Sequence, residues 1–221
     1  MNEINENETV FLIGDLAGFT ALTEAHGDMS AANIVTRYVD IVKDNLYPGS
    51  ELVERVGDEV LIVSNDALSI VQTAINLRDT IEKEQLFPCI HAGIHAGSAL
   101  EKDGHYFGKA LNLASRVAAH ARGGEILCTD KIVELANDLS DITYQSLGLI
   151  QFKHVTEPVA VFEITIGGRV GECTLFDPVC HMHVQEETAI ARLLFEDRMY
   201  YFCSFECAKA FTDHPDRYLN H

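Results

Sequence analysis

Basic residues are scarce in this chain of 221 residues. It has 16 Lys and Arg against 34 Asp and Glu, and its formal net charge is −18. Nucleic acids and anionic membrane surfaces are both bound largely through Lys and Arg, so the composition argues against either as a partner. A site that binds a phosphate-carrying ligand must then supply positive charge locally, and metal ions are the obvious source.

Long apolar runs are missing as well. No stretch approaches the ~20 apolar residues that a membrane helix needs. The segment Met1–Glu8 is polar and acidic, whereas a signal peptide needs a basic start and an apolar core. We therefore expect a cytoplasmic protein, in which disulfides are rare. The six cysteines are then predicted to be core residues or metal ligands, and Cys89 and Cys128 to be core.

Two short apolar runs each deliver an aspartate at or near a turn. Thr9–Gly14 has the pattern of a buried strand and leads to Asp15, and two further strand patterns are joined across Gly57 and Asp58. Carboxylate oxygens are the ligands that hard divalent cations prefer. If the two aspartates came together, they could hold a pair of metals that activates an attacking oxygen and stabilises a leaving one.

Helices follow pairs of strands along the first three quarters of the chain, and we find no internal repeat. This order favours an α+β fold with a mostly antiparallel sheet and helices packed on it. The expected helices are Gly18–His26, a second helix capped by Asp28 or Ser30, Ala67–Glu84, Tyr106–Arg122 and Asp130–Leu139. The expected strands are Thr9–Gly14, Leu52–Val56, Val60–Val63, Cys89–Leu100, Glu125–Cys128, Ile142–Phe152 and Val159–Ile164.

The amino-acid composition of the chain changes near Gly167, where a glycine-rich stretch is typical of a linker. Four of the six cysteines follow it. We expect a flexible N-terminus over residues 1–7, a large domain over 8–166, a linker over 167–172 and a small cysteine-bearing domain over 173–221.

Five segments of the large domain carry a pattern shared with a known family. They are Asp15–Thr20, Val56–Asp58, Gly93–Gly97, His105–Arg116 and Gly123–Ile126. In order and spacing they resemble the class III adenylyl/guanylyl cyclase catalytic domain. The resemblance implies a ferredoxin-like antiparallel sheet with packed helices. It also implies attack of a ribose 3′-oxygen on the α-phosphorus of a nucleoside triphosphate, which yields a 3′,5′-cyclic nucleotide and pyrophosphate.

The resemblance assigns roles to the motif residues. Asp15, Asp58 and the Leu16 carbonyl would carry two Mg²⁺ or Mn²⁺ ions. The phosphates would rest at a helix N-terminus, where free N–H groups favour anions. This predicted phosphate cradle is the backbone of Gly18, Phe19 and Thr20. On one face of a later helix, Asn112 would orient the ribose and Arg116 would bind the triphosphate as charge builds.

In this family the site lies between two catalytic domains. The metal-binding aspartates come from one domain, and the Asn, the Arg and the base-reading residues come from the other. This chain carries both sets, so the resemblance implies a homodimer with two equivalent sites and an inactive monomer.

Two positions bear on the choice of base, and a third bears on the phosphates. Glu54 stands where guanylyl cyclases have Glu and adenylyl cyclases have Lys. His105 stands where guanylyl cyclases have Cys and adenylyl cyclases have Asp or Thr. An acceptor at 54 with a donor at 105 follows the guanine arrangement by polarity, while adenine and a pyrimidine stay open. His91 replaces an Arg that many members place near the γ-phosphate. Lys153 could reach a phosphate, although a solvated surface lysine is the commoner case.

The C-terminal segment has the pattern Cys180-x22-Cys203-x3-Cys207 and resembles the YHS domain, a relative of metal-binding modules. Three thiolates with a fourth ligand would suit Zn²⁺ or Cu⁺. The candidates for that fourth ligand are Cys173, His181, His183 and His214. In the alternative, these cysteines are small buried hydrophobes.

Two other functions compete with catalysis. A cyclase-like module could have lost turnover through His91, Glu54 and His105 and act as a nucleotide-responsive partner. A metal-handling protein could act through the C-terminal cysteine-bearing domain over residues 173–221, called the tail below. Incubation with each of the four triphosphates and Mg²⁺ or Mn²⁺ distinguishes the enzyme from the module.

Overall fold

The computed structural model describes residues 5–137, 141–167 and 175–219. The strands are β1 (Asn5–Leu16), β2 (Glu51–Val56), β3 (Glu59–Ser64), β4 (Ile90–Lys102), β5 (His105–Phe107), β6 (Ile126–Thr129), β7 (Ile142–Ile150), β8 (Val159–Ile166), β9 (Ala191–Phe195) and β10 (Arg198–Phe202). The helices are α1 (Phe19–Asn45), α2 (Ala67–Ile81), α3 (Lys109–Ala118), α4 (Asp130–Leu135), α5 (Phe205–Asp213) and α6 (Asp216–Leu219). No helix among these residues is long and apolar enough to cross a membrane.

The large domain is built on one eight-stranded sheet. Its order is β2-β3-β1-β4-β6-β8-β7, and β5 pairs with β4 beside this path. Every pairing is antiparallel except that of β4 with β6. The predicted α+β fold with a mostly antiparallel sheet is therefore confirmed.

Alternate side chains of β1 enter two different cores. Val10 and Leu12 pack with α1, α2 and α4 on one face of the sheet. Phe11 and Ile13 pack with α3 on the other face. All four are nearly inaccessible to solvent. The strand therefore reads as an uninterrupted apolar run because helices cover the sheet on both sides.

Helix α3 lies unusually close to β4. Ala110, Ala114 and Ala118 form its inner face, and a Cβ on Gly93 would collide with the backbone of Ala118. Small residues on both elements permit this approach, which fixes the position of the outer face of α3.

Gly93→Ala is expected to destabilise the protein by about 1–3 kcal/mol, because overpacking forces the helix off the sheet. In a chain of this size the melting temperature should fall by about 2–4 °C for each kcal/mol. Thermal unfolding measures the change, and Ser98→Ala, at an exposed position of the same strand, is the control. A melting temperature equal to that of the control would contradict the close packing.

Several element boundaries differ from those expected. Strand β1 begins at Asn5, four residues before the expected start of the strand at Thr9. The two expected N-terminal helices form α1, which is interrupted at Gly27 by non-helical backbone (φ 78°, ψ 166°). Helix α4 ends at Leu135, while residues 1–4, 138–140 and 168–174, which include most of the expected linker, lie outside the described residues.

The expected helix Tyr106–Arg122 is wrong at both ends. Its first residues form β5, which pairs with the end of β4. Asp103 and Gly104 both have positive φ, 54° and 78°, as the tight turn of a β-hairpin requires. The helix itself ends at Ala118, so the Asp-Gly turn outweighs the helical pattern that follows it.

The tail packs directly on the large domain. Its β9–β10 hairpin and α5 enclose Phe202 and Phe211, and the same core includes Leu22 and Ala31 of α1. The His183 N–H also donates to the Phe87 carbonyl at 2.9 Å. The tail is thus fixed against α1 and against the segment that leads into β4.

Candidate active site and tail metal centre

The two predicted metal-binding aspartates lie side by side. Asp15 stands near the end of β1, Asp58 stands in the β2–β3 turn, and the pairing of Gly14 with Val60 brings the two points together. The two carboxyl groups are close enough to shift each other's pKa. Burial and this contact raise the pKa of Asp58 to about 6, and burial raises the pKa of Asp15. Two crowded carboxyl groups of this kind fit a divalent cation, which would remove the repulsion.

His91 contacts the same pair from β4. Its Nε2 lies 3.6 Å from Asp15 Oδ2, and its Nδ1 lies 3.0 Å from the carbonyl of Ala118. Since a carbonyl can only accept, Nδ1 carries the proton of the neutral ring. His91 therefore links the first aspartate to the end of α3.

The predicted phosphate cradle begins α1. Gly18 has φ 70° and its carbonyl accepts from the Leu22 N–H at 2.9 Å. Phe19 is partly buried between the large-domain core and the tail core, while Thr20 is exposed. A Cβ on Gly18 would collide with His181 of the tail. The cradle is therefore one of the places where the tail meets the large domain.

The second predicted set of residues lines a separate cleft. Asn112 and Arg116 of α3 line a cavity of about 740 Å³, whose walls also include Lys109 and Lys153. Three of these four side chains are cationic in a chain of net charge −18. The walls also include the acidic Asp130 and Glu157, so these residues leave the cleft with a small excess of positive charge. Lys153 is exposed, as expected of a surface lysine, and it also lines this cleft.

The two predicted base-reading residues contact each other. Glu54 Oε2 of β2 lies 3.7 Å from His105 Nδ1 of β5, and both side chains are exposed. An acceptor and a donor thus stand together on an open surface. The cleft lined by Asn112 and Arg116 does not include Asp15 or Asp58.

Two other sequence expectations have mixed outcomes. Cys128 is fully buried, as expected of a core residue, and burial raises the pKa of its thiol. Cys89 is buried too, as expected of a core residue, but its sulfur forms a disulfide, the less favoured of the roles considered for the cysteines. His95 Nδ1 lies 2.8 Å from the Thr129 hydroxyl oxygen and is hydrogen-bonded to it.

The tail cysteines converge, and their fourth neighbour was not among the candidates. His26 of α1 joins Cys180, Cys203 and Cys207, with all four ligand atoms within 4.8 Å of one another. Hydrogen bonds from Cys180 and Cys203 lower the pKa of Cys207. The side chain of His181 instead stacks on Phe176. Cys173 lies outside the described residues.

Comparisons with known proteins agree with this division of the chain. Residues 175–221 match the YHS domain family. A pH-sensitive adenylate cyclase of Mycobacterium tuberculosis is 31% identical over 124 residues, which are 56% of this chain and 31% of that relative. The adenylyl cyclase CyaB of P. aeruginosa is similar in structure, with a TM-score of 0.66 and 22% identity over 77% of this chain and 99% of that one.

The large domain has the class III cyclase fold. A guanylate cyclase domain from Catenaria anguillulae, in complex with GTP, also matches it, with a TM-score of 0.60 and 22% identity over 73% of this chain and 98% of that one. The fold is thus shared by proteins named as adenylyl cyclases and by proteins named as guanylate cyclases. The chain covers less than a third of the M. tuberculosis relative, so the activity of that whole protein is not carried over by the match.

Proposed function

We propose that this chain is a nucleotide cyclase that converts GTP or ATP to a 3′,5′-cyclic nucleotide and pyrophosphate in intracellular signalling. The observation that carries the proposal is the contact between the carboxyl groups of Asp15 and Asp58 at the end of the central strand. Mg²⁺ or Mn²⁺, two per site, would be held there by these carboxylates and by the Leu16 carbonyl. When bound, they would activate the ribose oxygen and stabilise the leaving pyrophosphate.

The chain's own groups would hold the substrate in line. Backbone N–H groups of Gly18–Thr20 donate to the phosphates at the start of α1. Arg116 and Lys153 neutralise the triphosphate from the α3 cleft, and the amide of Asn112 fixes the ribose. Because both reacting atoms belong to one molecule, much of the rate enhancement would come from this positioning.

A homodimer would complete the site. In one chain the cationic α3 cleft does not include either metal-binding aspartate. If a second copy brings its α3 cleft against the aspartates of the first, each site receives both sets of residues, and symmetry makes two such sites.

Two observations favour different bases. The polarity of the Glu54–His105 pair follows guanine, whereas the M. tuberculosis relative is named an adenylate cyclase. The deciding experiment is turnover of each of the four triphosphates by the purified chain with Mg²⁺ or Mn²⁺. Cyclic product from a purine triphosphate supports the proposal. No product from any of the four favours a nucleotide-binding module that has lost turnover through His91, Glu54 and His105.

Glu54→Lys is expected to shift the preference from GTP toward ATP. The change replaces an acceptor with a donor, and one well-placed base contact is worth about 1–3 kcal/mol of discrimination. The ratio of kcat/KM for GTP to that for ATP should therefore fall by about 10-fold or more. Glu51→Lys makes the same charge change at an exposed site on the same strand and serves as the control. An equal shift in both variants would show that only net charge matters.

A further inference from the structure

Four side chains at the junction of tail and large domain are spaced like the ligands of one metal ion. The Sγ atoms of Cys180 and Cys203 are 3.4 Å apart, and those of Cys203 and Cys207 are 3.7 Å apart. His26 Nε2 lies 3.3 Å from Cys203 Sγ and 3.5 Å from Cys207 Sγ. Around a tetrahedral zinc ion, such pairs stand about 3.8 Å apart for two sulfurs and about 3.6 Å apart for sulfur and nitrogen.

The ligands are held by rigid supports. Asp177 is fully buried, and its carboxylate accepts from the backbone N–H groups of Val179 and Cys203, each at 2.8 Å. The Ser204 hydroxyl caps α5 by accepting from the Cys207 N–H at 3.1 Å. One buried carboxylate therefore fixes the loops of two cysteines, and a helix cap fixes the third. Metal ligands held in this way lose little freedom when they bind.

We propose that His26, Cys180, Cys203 and Cys207 form a closed tetrahedral site for Zn²⁺ or a cation of similar softness, and that this site joins the tail to α1. Three thiolates and one imidazole are a common structural zinc set. One ligand comes from the large domain and three come from the tail. The bound cation would therefore hold the two domains together as well as stabilise a small tail with a thin core.

The site lies at one end of the short helical segment that carries the phosphate cradle. His26 is the last residue before the break at Gly27, and Gly18 at the other end packs against His181 of the tail. A loaded site would thus hold residues 19–26 at both ends. As a consequence that rests on the proposed cyclase function, the loaded tail keeps His181 on the cradle and raises the KM for the triphosphate.

Zinc titration of the reduced full-length chain tests the site directly. We expect one Zn²⁺ per chain, in competition with a chromogenic chelator. His26→Ala should weaken that affinity more than about 100-fold, because even an outer-shell partner is worth about 10–100-fold. His214→Ala, at an exposed histidine of the tail, should bind like the unaltered chain. Co²⁺ in place of Zn²⁺ should give the absorption spectrum of a tetrahedral thiolate site. This spectrum should change in His26→Ala and stay the same in His214→Ala.

Hydrogen exchange measures the link between the domains. Zinc should slow exchange of the amides of residues 19–26 in the unaltered chain and in His214→Ala, but leave them unchanged in His26→Ala. If His26→Ala binds zinc as tightly as the unaltered chain, or if zinc protects only the tail, the shared site is overturned.

Triphosphate kinetics provide a separate arm. Zinc should raise the KM by about threefold or more in the unaltered chain and in His214→Ala, and should not change it in His26→Ala. A chain with the expected zinc binding but no turnover would count against the proposed function and leave the metal site standing. A KM that zinc does not change in an active enzyme would overturn the effect on the cradle.

Discussion

Asp58→Asn is expected to lower kcat/KM for cyclisation by about 10³-fold, since loss of one strong electrostatic contact to a transition state costs about that much. The same change should raise the melting temperature of the metal-free protein. The carboxyl groups of Asp15 and Asp58 interact in a partly buried site that raises the pKa of both, and an amide at position 58 removes the repulsion between two carboxylates without changing the shape. Activity and stability would therefore move in opposite directions. Initial-rate kinetics and thermal unfolding measure the two effects.

The neighbouring carboxylate gives a matched control. Glu59 lies in the same hairpin, and partial desolvation and the charge of Asp58 raise its pKa, yet it is not a predicted ligand. Glu59→Gln should therefore change kcat/KM far less than Asp58→Asn. Residual activity of a few per cent in Asp58→Asn, or equal losses in the two variants, would contradict metal binding by this carboxylate.

The strand that carries Asp15 could be predicted because its signal is local. An uninterrupted apolar run beside a glycine is enough to indicate a strand covered on both faces. The β2–β3 hairpin is local as well, because Gly57 takes the positive φ (64°) that its turn requires. The contact between Asp15 and Asp58 then follows from pairing β1 with β3, which only the family resemblance could suggest.

The features that were missed depend on contacts between distant parts of the chain. His26 lies 177 positions from Cys203, and nothing near it marks it as a ligand. Its place in the cluster follows from apolar packing of Leu22 and Ala31 against the tail. Lys153 lines the α3 cleft from the loop that follows β7, a position that depends equally on distant contacts. Such positions cannot be predicted from periodicity or spacing.

Mixing two inactive variants should restore activity if the site is shared between subunits. Asp15→Ala removes a proposed metal ligand, and Arg116→Ala removes one of the cationic side chains of the α3 cleft. Each homodimer would then lack one half of both sites. A heterodimer would contain one site with both defects and one site with neither. If subunits exchange freely, half of the dimers are mixed and one of their two sites is intact, so about a quarter of the unaltered activity should return.

The control distinguishes complementation from simple stabilisation. Asp15→Ala mixed with Asp58→Ala places both defects in the same half of the site, so every heterodimer site keeps one defect and no activity should return. Cyclic product formation after co-refolding or prolonged mixing measures both cases. Recovery in neither mixture would mean that each chain forms its site alone or forms none. The separation of the α3 cleft from the aspartates within one chain argues for the shared arrangement, because the triphosphate must contact both sets at once.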